Sequence, residues 1–131
     1  MSNEQKRTLV YVVEDDEEQL YVLRILLSDA GFDVVTESNA DKVMEAVQAL
    51  KPDVILMDVM LPSHSGTDGF ELCSRIRNTP DVKDTKIFIV SAIAEGSGPN
   101  RERMIAQVGA DEFIVKPYDP PQLVEKIRKH L

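Results

Sequence analysis

Five times along this chain a short apolar, β-branched run gives way to a stretch with helical spacing. Leu9–Val13 is apolar without interruption, the pattern of a strand buried on both faces rather than one facing water. Comparable runs cover 54–57, 87–90 and 113–115, and a short, less apolar strand is expected at 33–36. Between them the period changes. Leu23, Leu26, Leu27 and Ala30 share one helical face, with Gly31 as the stop. Ser38 is expected to open a second helix, with Val43, Val47 and Leu50 inward and Pro52 as terminator. A third, from about Asp68, carries Leu72, Cys73 and Ile76 on one side. Asn100 is expected to cap a fourth, holding Met104, Ile105 and Val108 and ended by Gly109. Asp119 is expected to cap the last, with Pro120 at its first position and Leu123, Ile127 and Leu131 at i, i+4, i+8.

Strand–helix units in series predict an α/β fold, a parallel sheet with helices on both faces. The 131 residues fit one domain, with 1–7 as a polar tail. At 43% apolar and 29% charged, the chain has enough apolar side chains for a core and is not a disordered segment. No apolar run is long enough for a bilayer, so no membrane insertion is expected. Residues 1–8 lack the apolar stretch of a signal peptide, which makes the cytoplasm the expected compartment. The single cysteine, Cys73, excludes an internal disulfide and a thiolate-built metal site. A net charge of −8 argues against direct nucleic-acid binding, which needs clustered Lys and Arg.

In sheets of this kind ligands bind outside the carboxyl ends of the strands, where strand order reverses. Those ends read Val13-Glu14-Asp15-Asp16, Met57-Asp58, Val90-Ser91-Ala92 and Val115-Lys116-Pro117. Carboxylates, a hydroxyl and an ammonium are thereby directed to one edge. Clustered carboxylates raise each other's pKa and cannot all stay ionised unaided. A hard divalent cation removes the conflict, and a few oxygen ligands with room for water suit Mg²⁺. A carboxylate beside such an ion can attack phosphorus and form an acyl phosphate. Mg²⁺, a lysine and a hydroxyl can then stabilise the phosphoryl oxygens.

The chain resembles a response-regulator receiver domain from end to end. The resemblance rests on Val12-Val13-Glu14-Asp15, on 52–62 (Pro-Asp-Val-Ile-Leu-Met-Asp-Val-Met-Leu-Pro), on Asp68-Gly69-Phe70-Glu71-Leu72, on Ser91-Ala92 and on 109–117 (Gly-Ala-Asp-Glu-Phe-Ile-Val-Lys-Pro). It implies a flavodoxin-like (βα)5 sheet of order 2-1-3-4-5. It also implies roles. Asp58 is the phospho-acceptor. Asp15 binds Mg²⁺ directly, Glu14 is its partner, and the backbone carbonyl of Met60 is a third protein ligand. Lys116 pairs with the acceptor and then with a phosphoryl oxygen. Ser91 is the moving hydroxyl, Phe113 the aromatic switch, and Lys116–Pro117 a cis bond. The implied donor is a histidine kinase or a histidine phosphotransfer protein. The implied output is a changed face, built from the fourth helix, the last strand and the last helix, that meets a protein target. The chain is expected to be no enzyme beyond its own phosphorylation and dephosphorylation, and to carry no output domain.

Each residue also has a plainer reading. Asp16, with Gln19 three residues on, fits a capping box, which favours Glu14 with Asp15 as the site pair but leaves Asp15 with Asp16 open. A strand-end aspartate such as Asp58 is often only a cap. A lysine between a buried strand and a proline, as Lys116 is, makes an unusual solvated lysine. Ser91 could cap a turn, and Phe113 could be plain core. His64 and His130 read as solvated, Cys73 as packing. A phosphorylation-independent module that keeps the fold is the alternative, and intact Glu14, Asp15, Asp58, Ser91 and Lys116 count against it. An aspartate-based phosphohydrolase would often carry a second Asp where Met60 stands. A flavin protein would not place Glu14 to Glu18 where a phosphate must sit.

Two loops exceed the family pattern, at 63–67 and 93–99, and read as longer loops without new chemistry. Met60 and Ile93, two residues beyond the acceptor and the hydroxyl, have side chains that cannot hold a water by hydrogen bonding. The expected result is a long-lived phosphoryl group. Met60→Asn should therefore speed its decay; a phospho-decay time course that is unchanged or slower in the variant contradicts this.

Overall fold

The computed structural model describes residues 7–59, 67–91 and 109–131. Met60, His64, Ile93, the helix expected at 100–108 and nearly all of both long loops lie outside the described residues. The elements in order are β1 (Leu9–Val13), α1 (Glu17–Asp29), β2 (Asp33–Glu37), a 3-10 turn (Ala40–Lys42) running into α2 (Val43–Leu50), β3 (Val54–Asp58), α3 (Gly69–Arg77), β4 (Lys86–Ser91), β5 (Glu112–Val115) and α4 (Pro120–Lys129). The strands form one parallel sheet of order β2-β1-β3-β4-β5. This is the flavodoxin-like order, and it reverses between β1 and β3.

Strand alternation splits the core into two layers. Tyr11, Val13, Ile55, Met57, Ile87, Ile89 and Phe113 face Val43 and Val47 of α2 and Leu72, Cys73 and Ile76 of α3. Val10, Val12, Val54, Leu56, Phe88, Val90 and Ile114 face Leu23 and Leu27 of α1 and Leu123, Val124 and Ile127 of α4. Uninterrupted apolar runs are thus explained: β1, β3 and β4 are covered on both sides.

The helix ends match the sequence at some places and depart at others. Asp16 Oδ1 accepts from the N–H groups of Glu18 (2.9 Å) and Gln19 (3.3 Å), capping α1. The Asp16 N–H donates to Glu14 Oε2 at 3.1 Å, so Glu14 takes the place a capping-box Gln19 would hold. Gly31, at φ 99°, ends α1 with Gly31 N–H on Ser28 O and Phe32 N–H on Leu27 O, a Schellman pair sealed by the burial of Leu27 and Phe32 together. Ser38 does not open the second helix. Asn39 caps the 3-10 turn, its Oδ1 accepting from Asp41 N–H, while the Ser38 N–H is turned onto Glu37 Oε2. Leu50 is exposed rather than inward, because α2 already ends there, with Lys51 in the left-handed region at φ 49°. Asp119 stands at the N-cap position of α4 without a side-chain capping bond. Leu131 lies past the end of α4 and is exposed, so only Leu123 and Ile127 of the expected stripe are buried. Arg7, assigned to a polar tail, pairs with Asp33 at 3.3 Å on the surface.

Two contacts set the edge that carries the site and the edge opposite. At the far edge Arg77 donates to Gly109 O (2.7 Å) and to Asp111 Oδ2 (2.6 Å), and the same Oδ2 accepts from Ile87 N–H (2.8 Å). The end of α3 and the starts of β4 and β5 are thereby joined by a half-buried ion pair. At the near edge Gly69 opens α3 against the end of β3. A Cβ there would lie 2.5 Å from Asp58 O and 3.0 Å from Val59 Cα, both backbone atoms that cannot swing aside. Gly69→Ala should therefore force α3 away from Asp58. The expected cost is about 1–3 kcal/mol, typical of overpacking, and thermal unfolding should show the midpoint lowered by several degrees; an unshifted midpoint would contradict the close packing.

Candidate functional site

The strand-order reversal leaves a crevice between the carboxyl ends of β1 and β3, and the alternation of side chains decides what enters it. Glu14 follows Val10 and Val12, and Asp58 follows Val54 and Leu56, so both carboxylates continue the rows that face α1 and α4. Backbone hydrogen bonds hold these ends in place. Glu14 N–H donates to Glu37 O (3.0 Å), Val59 N–H to Val90 O (3.2 Å), Gly69 N–H to Val59 O (3.2 Å) and Lys116 N–H to Ser91 O (2.7 Å). Lys116–Pro117 is cis, as the resemblance implied.

Lys116 Nζ donates to Glu14 Oε1 and to Asp58 Oδ2, each at 2.9 Å. Glu14 and Asp58 are both buried, and Asp15 is exposed beside them. Carboxylate oxygens of Glu14, Asp15 and Asp58 lie within 4.8 Å of one another. Asp16 caps α1 and is not part of this group, so the carboxylates gathered beside Asp58 are those of Glu14 and Asp15. Ser91 is buried at the last position of β4, next to Val90, the register partner of Asp58. Phe113 is buried in the α2–α3 layer opposite Ile89. His130 is not a solvated side chain: Nε2 lies 3.2 Å from Glu112 Oε2, and the ring meets Phe88 edge-on.

Among the described residues, one ammonium stands against three carboxylates. Burial pushes the Glu14 carboxyl above its ordinary range; Lys116 and the Asp16 N–H pull it down, and the Asp58 charge adds to the upward push. For Lys116 burial works against the charge, but hydrogen bonds and attraction to Asp58 and Glu14 outweigh it and hold the ammonium above the usual lysine range. The donors are all oxygen, with Asp15 open to solvent, and the excess charge is negative. That combination fits a hard divalent cation that keeps part of its water.

Tyr118 was not singled out from the sequence. It lines a cavity of about 10 Å³ together with Glu14, Asp58, Leu23 and Leu123. Burial pushes its phenol up, while Lys116 lowers it and Glu14 and Asp58 raise it further. Its position directly after Lys116-Pro117 was the available signal.

A family model described as response regulator receiver domain matches residues 10–128. The phosphate regulon transcriptional regulatory protein PhoB of Rhizobium meliloti is 36% identical over 122 residues, 93% of this chain and 51% of that protein. The DNA-binding response regulator MtrA of Mycobacterium tuberculosis is 32% identical over 125 residues, 95% of this chain and 51% of the relative. The chain spans about half the length of the curated relatives it matches. Among solved structures, the chemotaxis response regulator CheY4 of Vibrio cholerae superposes with a TM-score of 0.84 at 26% identity, covering 96% of this chain and 100% of that one. The BeF3-activated N-terminal receiver domain of Klebsiella pneumoniae RstA gives 0.81 at 28% identity, over 94% and 97% of the two chains. Among the described residues no helix is long and apolar enough to cross a membrane. With its strand order, and with a match running from the first strand to the last helix, the chain belongs to the response regulator receiver domain family.

Proposed function

We propose that this chain is a phospho-acceptor signalling switch of the cytoplasm. Asp58 takes a phosphoryl group from a phosphohistidine on a histidine kinase or histidine phosphotransfer protein, with Mg²⁺ at the acidic cluster. The supporting observation is the Lys116 ammonium 2.9 Å from Asp58 Oδ2 inside a group of three carboxylates. Transfer to an acid needs a nucleophilic oxygen and positive charge for the equatorial phosphoryl oxygens, and both are at hand here. An Asp58 oxygen bonds to phosphorus as the phosphorus–nitrogen bond of the donor breaks. The electron pair of that bond stays on the departing imidazole, and a mixed anhydride is left on Asp58. When bound at Glu14, Asp15 and Asp58, with the Met60 carbonyl implied by the family, Mg²⁺ supplies charge that one lysine alone cannot. Lys116 exchanges the Asp58 carboxylate for a phosphoryl oxygen, and Ser91 donates its hydroxyl to another.

The outgoing step is a local charge event that biases a two-state element. The Lys116 N–H to Ser91 O bond ties the ends of β4 and β5, so Ser91, Lys116 and, three residues before it, Phe113 shift as a set. The face made by β5 and α4 changes as a result. It is read by a protein target or by an output domain of the same polypeptide. The chain turns over no substrate besides its own phosphoryl group.

Incubation with acetyl phosphate and Mg²⁺ should add one phosphoryl group by intact mass. The gain should be absent in Asp58→Ala and in EDTA. An unmodified wild-type mass, or the same gain in Asp58→Ala, would overturn the assignment.

Stability without metal should report the strained carboxylate. A carboxyl raised by folding holds its proton more tightly in the folded state. Its ionised form then weighs against the fold at neutral pH, and that weight is lifted as pH falls through the folded value. The raised Lys116 keeps its contribution across this range and loses it only in strong alkali. The thermal midpoint of metal-free Glu14→Gln, measured relative to wild type, should therefore be most favourable at neutral pH and lose its advantage on acidification. Mg²⁺ should lift the wild-type midpoint more than that of the variant. A difference that grows on acidification would contradict the sign.

A further inference from the structure

Two spaces adjoin the acidic site, and Tyr118 lines both. Inside lies the cavity of about 10 Å³ beside Glu14 and Asp58. Outside lies a groove of about 780 Å³ between the start of α1 and the 116–118 segment, lined by Glu18, Gln19, Tyr21, Val22, Lys116 and Pro117. Lys116 belongs to both worlds. Lys116 lines the groove, and its ammonium lies 2.9 Å from Glu14 and from Asp58, both of which line the inner cavity.

A lysine stem is long and freely jointed, and its ammonium is strongly hydrated, so holding it in one place works against both entropy and solvation. The groove offers what would draw it out: access to water, and the side chain of Glu18, which lines the same groove. Between groove and site stands the Tyr118 ring, half-buried and packed on the α1–α4 core layer. It lines the inner cavity together with Glu14 and Asp58, which puts it beside the charged group.

We infer that Tyr118 is a positioning residue whose ring closes the groove side of the acidic site and keeps the Lys116 ammonium on the acceptor rather than on Glu18. The ring is the working part, not the hydroxyl, so phenylalanine should serve as well. This rests on Asp58 being the acceptor, and it adds a determinant of how fast Asp58 is loaded.

The experiment uses the full chain with acetyl phosphate and Mg²⁺, fitting the maximal loading rate and the half-saturating donor concentration separately. Tyr118→Ala should lose about tenfold in maximal rate, less than the roughly 10²–10³ lost on removing a charge-stabilising donor outright because Lys116 is only misplaced, with the half-saturating concentration little changed. Tyr118→Phe should stay within about twofold of wild type, since the ring remains. Glu18→Gln added to Tyr118→Ala should recover most of the loss, which a purely structural role for Tyr118 would not allow. Should Tyr118→Ala melt below the assay temperature, Tyr118→Leu replaces it with the same expectations. A Tyr118→Ala rate equal to wild type, a Tyr118→Phe rate as low as that of Tyr118→Ala, or no recovery with Glu18→Gln would each overturn the inference. Wild type failing to load at all would instead sink the acceptor assignment itself.

Discussion

A single ammonium shared between two buried carboxylates governs this molecule. Charges taken out of water are costly unless geometry and hydrogen bonding are good. Here the three groups come from the ends of β1, β3 and β5, so the cost is met only if those ends lie at one edge. Parallel order β2-β1-β3-β4-β5 does this by making β1 and β3 neighbours. The Lys116 N–H on Ser91 O then brings the lysine in from the far strand. The apolar strands, the caps and the glycine at the start of α3 all bear on where these three side chains meet.

The compromise is incomplete. Glu14 remains pushed toward its neutral form despite two hydrogen bonds, because burial and Asp58 act in the same direction. The surplus negative charge left at this site suits a cation, which is why Mg²⁺ is proposed there. Its tension without metal and its proposed chemistry with metal have one cause.

Much of this could be read from residues alone. The strands were legible because continuous apolar β-branched runs have few other uses, and the site because each run ends in a polar residue. The choice between Glu14 and Asp16 stayed open in the residues, because both flank Asp15; the observed N-cap at Asp16 is a fact of the fold. What escaped was what depends on distance in space. Nothing local says that Arg77 reaches Asp111 across 34 residues, or that Gly69 must touch the backbone of Asp58. Ser38 was mistaken for a cap because Asn39 beside it is an equally good one, and a short 3-10 turn shifts the helix start. Leu50 and Leu131 were misplaced because periodicity continues on paper after a helix has stopped. Tyr118 looks like an ordinary aromatic until it is found lining both the cavity beside Glu14 and Asp58 and the outer groove.

The division of the core by the sheet has a further consequence. Residues of one layer touch those of the other only through backbone, so substitutions made on opposite sides should combine nearly additively. The layer behind α1 and α4 holds Glu14 and Asp58, while Phe113 lies in the other. Repacking side chains behind α2 and α3 should therefore leave the packing behind α1 and α4, beside Glu14 and Asp58, nearly as it is.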